Sequence, residues 1–352
     1  MKYKNVCYMS IIINSKQTNF MKKFFSMMAT AMLVLSAIAC TKEVQPKDLS
    51  EDSQTVSTMV NTKTFGSKTP IITVYVETND VNPLNAGDYY MNGEAFVDVV
   101  ILFAANIHVD SEGDPCLYLN DKLTPVLVDG AYETYVKPLQ DKGIKVLLGV
   151  LGDWQHMGVA SMDDEQAEKF AAILAYVVES YGLDGVDFDD EYANYDGTYT
   201  VTSDSFSNLI EETRTALGTS KMITVFGYGD YVSTIDSTAG AMLDYAWSNF
   251  AYYNTSMISG VTAARWAPCA YSFSNSYSTS RMKTYAGYAA SNGYGAIMFF
   301  NLRPYSDVSP MSYFQAVATG AYSGTVTRSG GNRSRDAGSV TDGYTITYDM
   351  LP

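Results

Sequence analysis

The chain has 352 residues, of which 47% are hydrophobic and 17% charged, an ordinary globular composition with length for one large domain plus appendages. Its net charge of −15 disfavours nucleic acid and anionic membrane surfaces as partners and favours solubility. Fold has to be read from the pattern of residues along the chain.

Met21-Lys22-Lys23 is a short basic start, and Phe24 to Ala39 is an apolar run ending in Ser36-Ala37-Ile38-Ala39 just before Cys40. Basic, apolar, then small residues is the layout of a secretory signal peptide. The run is short for a membrane span, which needs about 20 residues. A cysteine at the cut point has the form of a bacterial lipoprotein, with Cys40 as the lipidation site; the alternative is a plain signal peptide. Residues 1–40 are therefore expected to be leader and signal peptide. The expected location is exported: a cell-surface or periplasmic lipoprotein, or else a secreted protein, touching membrane only through that anchor. Residues 41–68 are polar, lack periodicity, and are expected to form a flexible tether.

From residue 69 to 325 strands and helices alternate. Strands are expected at 71–76, 96–105, 143–150, 183–188, 222–226, 245–249, 267–273 and 296–301. Their continuous apolar runs suit parallel strands covered on both faces. Helices are expected at 163–181, 205–217, 281–291 and 311–322, with weaker ones near 235–243 and 257–265. In the clearest, Asp163 and Asp164 offer the N-cap and an acidic first turn. Phe170, Leu174, Val177, Val178 and Tyr181 make one stripe, and Gly182 stops it. Eight strands with mostly helical crossovers predict an α/β fold: a single (β/α)8 TIM-type barrel, some crossover helices short or irregular. No glycine-rich phosphate turn follows the first strand, which disfavours a doubly wound sheet. Residues 326–352 are Gly-, Ser- and Arg-rich and read as a C-terminal tail, either disordered or carrying a short strand at 344–348.

The chemistry concentrates in Leu183-Asp184-Gly185-Val186-Asp187-Phe188-Asp189-Asp190-Glu191-Tyr192. Strand side chains alternate, so Asp187, Asp189 and Glu191 share one face, Val186 and Phe188 the other. The acidic face must point into the barrel and rise toward the C-terminal mouth, where barrel active sites sit. Stacked carboxylates cannot all ionise cheaply, so at least one remains protonated near neutral pH, as a general acid for a glycosidic oxygen requires. A calcium row and a solvated acidic turn are the competing readings; Val186 and Phe188, both strand formers, argue against each.

Asp184-Gly185-Val186-Asp187-Phe188-Asp189-Asp190-Glu191 resembles the D-G-x-D-x-D-x-E signature of glycoside hydrolase family 18. The stretch from Leu183 to Tyr195 is most similar to bacterial endo-β-N-acetylglucosaminidases of the endoglycosidase H type. Tyr75-Val76-Glu77, Phe103 to Ile107, Gly143 to Gly152, Tyr245-Ala246-Trp247 and Asn301-Leu302 agree with it, so the resemblance spans roughly 71–322. Chitinases of that family usually carry an aromatic residue before the catalytic Glu, where this chain has Asp190.

The resemblance implies hydrolysis of the β-1,4 bond in the N,N′-diacetylchitobiose core of N-glycans, of high-mannose type. The implied mechanism is retaining and substrate-assisted, with no cofactor and no metal. Glu191 would be general acid and base. Asp189 would orient the acetamide and stabilise the oxazolinium, and Asp187 would support Asp189 by sharing a proton. For substrate binding the resemblance points to Tyr252 and Asn249, with Trp247 and Asn301 as further candidates. Asp184, of opposite parity, is expected to shape the strand's entry.

Other chemistries are poorly served. The chain has only His108 and His156 as histidines and no G-x-S-x-G elbow. His156 either lines the mouth or is an exposed loop residue. Cys7, Cys40, Cys116 and Cys269 show no C-x-x-C spacing; Cys116 and Cys269 are a disulfide pair or two buried thiols. The alternative functions are a non-catalytic glycan-binding protein on the same fold and a chitinase of the same family.

Overall fold

Eight apolar segments bury both faces and close into a ring of parallel strands in the computed structural model, which describes residues 65–304 and 309–352. The strands are β1 (Ile71–Glu77), β2 (Val99–Val109), β3 (Lys145–Gly152), β4 (Gly185–Phe188), β5 (Met222–Gly227), β6 (Tyr245–Ser248), β7 and β8 (Ala296–Phe300). β7 is two short pieces, Trp266–Ala267 bonded to β6 and Cys269–Ser272 bonded to β8. Pro268 separates them, because a proline has no N–H to give to a ladder. The expected signal peptide, Cys40 and the tether as far as residue 64 lie outside the described residues.

Residues 65–68, expected as tether, belong to the barrel. Phe65 meets the ring of Tyr245, the first residue of β6, at 5.8 Å, and the Lys68 ammonium donates to Asp98 at 2.5 Å. The boundary is misread from sequence because one aromatic and one lysine in a polar run carry no periodicity.

Side chains alternate between two apolar layers. Ile72, Val74, Val100, Leu102, Val186, Phe188, Ile223 and Val225 pack outward under the helices. Ile71, Tyr75, Val99, Ile101, Leu147, Met222, Phe226, Trp247 and Met298 fill the barrel interior. The outer layer is closed by α1 (Asp164–Ser180), α2 (Ser205–Leu217), α3 (Ser237–Met242), α4 (Thr279–Ser291) and α5 (Pro310–Tyr322). Asp163 caps α1 in a reciprocal box with Gln166. The helix expected near 257–265 reduces to one 3-10 turn, Ala263–Arg265. Gly260 there is left-handed (φ 78°), and Ser259 lies so close to α3 that a Cβ on Gly240 would sit 1.8 Å from its carbonyl oxygen.

β2 starts at Val99, later than expected. Phe96 instead follows a hairpin, Tyr89–Met91 with Glu94–Ala95, turned by Asn92-Gly93, both at positive φ. β2 also runs on to Val109, where an antiparallel strand, Pro115–Leu119, pairs with it.

The first two crossovers carry only short helical pieces, and the C-terminal segment covers them. Val326–Arg328 pairs with Tyr89–Met91, and Tyr344–Ile346 pairs with Pro115–Leu119. Between those strands Asn85 Nδ2 donates to the Arg333 carbonyl, and Arg335 donates to the carbonyls of Thr78 and Lys122.

Three aspartates repeat one device at the barrel's N-terminal end. Asp98, Asp184 and Asp244 each precede an even strand. Each donates its N–H to the carbonyl of a residue on the preceding odd strand and accepts that residue's N–H through Oδ2: Ile72 at 2.7 Å, Val146 at 2.9 Å and Ile223 at 2.8 Å. A cation completes each clamp: Lys68, Lys145 and Arg214. Before β8 the equivalent position is Gly295, where a Cβ would lie 1.9 Å from the Ala264 carbonyl oxygen. Cys116 and Cys269 are buried free thiols.

Candidate active site

Gly185 opens β4 with its backbone pressed so close to β5 that a Cβ would meet the Met222 carbonyl oxygen at 2.0 Å. From there the alternation turns Asp187 inward and Val186 and Phe188 outward. Asp187 is fully buried. Its Oδ2 accepts the Tyr75 hydroxyl at 2.6 Å, and its Oδ1 accepts the Thr224 hydroxyl at 2.5 Å and the Trp247 indole N–H at 2.9 Å. Burial pushes its carboxyl up to about 6, the three donors pulling the other way.

β4 ends at Phe188, so Glu191 does not stand on the strand as the parity reading supposed. Asp189 extends the ladder through its N–H to Val150 O at 3.0 Å, and the Glu191 N–H then turns back onto Asp189 O at 3.0 Å. Tyr192 is left-handed (φ 60°), and the Gly152 N–H holds the Glu191 carbonyl at 2.9 Å. The turn brings the Glu191 carboxyl onto that of Asp189, within reach of a hydrogen bond once either is protonated.

Burial raises both carboxyls of this pair. Asp189 is pushed well above its ordinary range by burial first, then by the charges of Glu191, Asp187 and Asp190. Glu191, only half-buried, is raised by burial and by Asp190, against the bond from Asp189. The pair therefore takes up a proton at a higher pH than ordinary carboxyls do, with the more deeply buried Asp189 raised the further. The oxygens of Asp187 accept from Tyr75, Thr224 and Trp247, and its charge is one of the causes that raise Asp189.

Asp190 points away and fastens two loops. Its Oδ1 accepts the Tyr195 hydroxyl at 2.7 Å, and its Oδ2 accepts the Tyr231 N–H at 2.8 Å.

Glu191 sits on the ridge between two lobes of a cleft at the C-terminal mouth. The inner lobe, about 390 Å³, is walled by Asp189 and Glu191 and floored by Tyr75, Phe103, Phe226, Met298 and Phe300. The outer lobe, about 610 Å³, runs over Trp154, Tyr192, Asn194 and Tyr228 to Tyr231. Glu191, Tyr192, Tyr228 and Asn249 border both. Either volume suits a sugar-sized ligand.

The model of glycosyl hydrolases family 18 matches residues 6–259. The chain belongs to glycosyl hydrolase family 18. It is 37% identical over 249 residues to an endo-beta-N-acetylglucosaminidase of Flavobacterium sp. (strain SK1022), covering 68% of this chain and 77% of the relative. It is 34% identical over 214 residues to endo-beta-N-acetylglucosaminidase F1 of Elizabethkingia meningoseptica, covering 58% of this chain and 60% of that protein's length. Among solved structures it is similar to Bacteroides thetaiotamicron EndoBT-3987 with a Man5GlcNAc product, at TM-score 0.67 and 29% identity, over 81% of this chain and 67% of the other. The complex of EndoBT-3987 with a Man9GlcNAc2Asn substrate aligns at TM-score 0.68 and 28% identity, over 83% of this chain and 74% of the other.

Within this family 18 barrel the expected substrate-binding residues divide. Asn249 lines both lobes. Trp247 lies beneath, fully buried, its indole spent on Asp187 and its ring stacked on Tyr245. Tyr252 is outside the cleft: Ala251 bridges to Ala270, and the chain then carries the ring among Tyr271, Tyr277 and Tyr285 under the Arg281 guanidinium. Its hydroxyl there accepts the Ser278 N–H. Asn301 is buried just after β8 at φ 59° and lines neither lobe. His156 faces Asp196 at 3.1 Å and braces its loop. Sequence reasoning passed over Tyr75 and Thr224, whose inward parity was available, and Tyr228 and Phe250, whose loop positions carry no pattern.

Proposed function

We propose that this family 18 hydrolase is an endo-β-N-acetylglucosaminidase that cleaves between the two N-acetylglucosamines of the N-glycan core, of high-mannose type, with retention. The observation that carries the reading is the placement of the Asp189 and Glu191 carboxyls together on the cleft ridge, with no further free carboxylate among the described residues that line the inner lobe. Asp187 is tied below by three donors, and Glu77, the other acid of the inner lobe, is paired with Arg303.

A substrate with its own nucleophile fits that arrangement. As the 2-acetamido group enters the inner lobe, its N–H meets Asp189 and the pair's proton passes to Glu191. Glu191 protonates the leaving oxygen while the acetamido carbonyl oxygen bonds to C1, giving an oxazolinium whose positive charge Asp189 and Asp187 stabilise. Glu191, now a carboxylate, takes a proton from water; the water oxygen bonds to C1 and the ring opens to the acetamide. The names of the relatives and the Man9GlcNAc2Asn complex of EndoBT-3987 support the glycan assignment.

The test is incubation with a high-mannose glycoprotein and, separately, with chitin oligomers, reading the released sugars by mass. Release of a glycan ending in one N-acetylglucosamine is expected. Cleavage of chitin alone would replace this reading with a chitinase, and binding without cleavage with a lectin-like protein.

Export with lipidation at Cys40 is part of the proposal, supported by the basic, apolar and small-residue order of 21–40. Fatty-acid labelling that survives in the Cys40→Ser variant would overturn it.

A further inference from the structure

Glu191 lies beyond the end of β4, so the strand ladder does not hold it. A reacting group misplaced by about 1 Å can cost about 10²-fold in rate, so residues 189–195 need a hold of their own. Three glycines press on that segment from the neighbouring loops. A Cβ on Gly152 would meet the Ala193 Cα at 2.5 Å, and one on Gly158 the Tyr195 hydroxyl oxygen at 2.5 Å. One on Gly229, itself left-handed at φ 107°, would meet the Asp190 carbonyl oxygen at 2.4 Å. The loops after β3, β4 and β5 therefore close on one another without room for a side chain.

Asp190 sits where they close, and it is only 7% exposed. Both oxygens of its carboxyl are taken. The Tyr195 hydroxyl, five residues on, folds the turn back on itself at 2.7 Å, and the Tyr231 N–H ties it to the loop after β5 at 2.8 Å. The Tyr195 oxygen in turn accepts the Ala160 N–H, from the loop after β3, at 3.3 Å. Its ring meets that of Tyr231 edge-on, with the centroids 4.8 Å apart. Burial raises the Asp190 carboxyl against the pull of its two donors, so the group is costly where an apolar side chain would not be.

What that cost secures is the residue next in the chain. Glu191 is pinned on both sides of its Cα: by the Asp190 side chain before it, and by the Gly152 N–H on its own carbonyl after it. We propose that Asp190, gripped by Tyr195 and Tyr231, is the positioning residue for Glu191, and that Tyr195 acts through it. This rests on the endoglycosidase reading of the same site, in which Glu191 is the acid. The oxygens of Asp190 are spent within the protein, so its effect reaches the substrate only through Glu191.

The experiment compares Tyr195→Phe, which removes one hydroxyl and keeps the ring, with Asp190→Asn and the double variant, measuring kcat and KM on a high-mannose glycopeptide. Each single variant is expected to lose about tenfold in kcat, as for a lost bond to a charged group, with KM changed by less than about twofold. The double variant should fall no further than the worse single one, because both break the same link. Asp190→Asn also withdraws a charge that raises Glu191, so the pH at which kcat/KM falls on the alkaline side should move down in that variant and stay in place in Tyr195→Phe. Unchanged kcat in both single variants, losses that multiply in the double one, or an alkaline limb that stays put in Asp190→Asn overturns the proposal. So does a rise in KM with kcat intact, which would make the two residues part of the wall that meets the sugar. If Asp190→Asn fails to fold, as judged by thermal melting, Tyr195→Phe decides alone. If the wild-type protein cleaves no glycan, the endoglycosidase reading fails, and the positioning is judged by amide exchange over residues 189–195. Protection lowered about tenfold in Tyr195→Phe supports it there, and unchanged protection overturns it.

Discussion

Asp187 receives three hydrogen bonds and is still pushed up to about 6, so burial outweighs the donors that favour its charge. Between about 4 and 6 the folded protein holds a proton there that the unfolded chain has released. Stability contributed by this group therefore falls as pH rises through that window and is level above it. Asp187→Asn removes the effect, so the variant should gain on the wild-type protein by about 2 to 3 kcal/mol between pH 4 and pH 7. Urea unfolding at the two pH values checks this; a pH-independent difference would sink it. Glu191 carries the other residue-scale expectation. Glu191→Gln should slow turnover of a high-mannose glycopeptide by about 10²- to 10⁴-fold, with glycan binding retained, because the amide keeps the shape and loses the transferable proton. Surviving activity would remove Glu191 from the role of acid.

The strands are the elements that sequence renders most plainly, and the reason is physical. A parallel strand inside a helix layer is apolar on both faces, so its run of Val, Ile and Leu stands out without alternation. β4 was legible for the opposite reason, since carboxylates cannot alternate with Val186 and Phe188 by core packing alone. What could not be read depends on contacts distant in sequence. Glu191 reaches Asp189 through a turn held by Gly152, and Tyr252 leaves the cleft because Ala251 pairs with Ala270. The clamp at Asp184 lies between: its parity set it apart from the acid face, but its partners Val146 and Lys145 are about 40 residues away. Asp184→Ala strips a charge-assisted acceptor from both and should cost about 2 kcal/mol in chemical denaturation. The opposite end of β4 carries the chemistry, so kcat should hardly change; a large fall in kcat with little loss of stability would contradict the clamp.

At the scale of the molecule, the C-terminal segment completes a barrel that its first two crossovers leave thinly covered. Ile346 is fully buried and Val326 nearly so, and the buried Leu117 and Leu119 are the pairing partners of Ile346 and Tyr344. Removing residues 326–352 should lower the melting temperature by several degrees or more, read by thermal scanning, as each lost kcal/mol is worth about 2–4 °C in a domain of this size. A melting temperature unchanged by truncation would show the segment to be ornamental. The split at Pro268 has a different consequence. The two pieces of β7 each bond to one neighbour, and Gly295 stands where the other even strands have a clamping aspartate, so β6, β7 and β8 form the joint at which the hoop opens. Native-state amide exchange should find these strands less protected than β3, β4 and β5, and equal protection would rule the joint out. Asn249 and Phe250 hang from the joint, while Asp189 and Glu191 stand on the fixed side. Lower protection there would put the give of the cleft on that one wall, with its acid held in place.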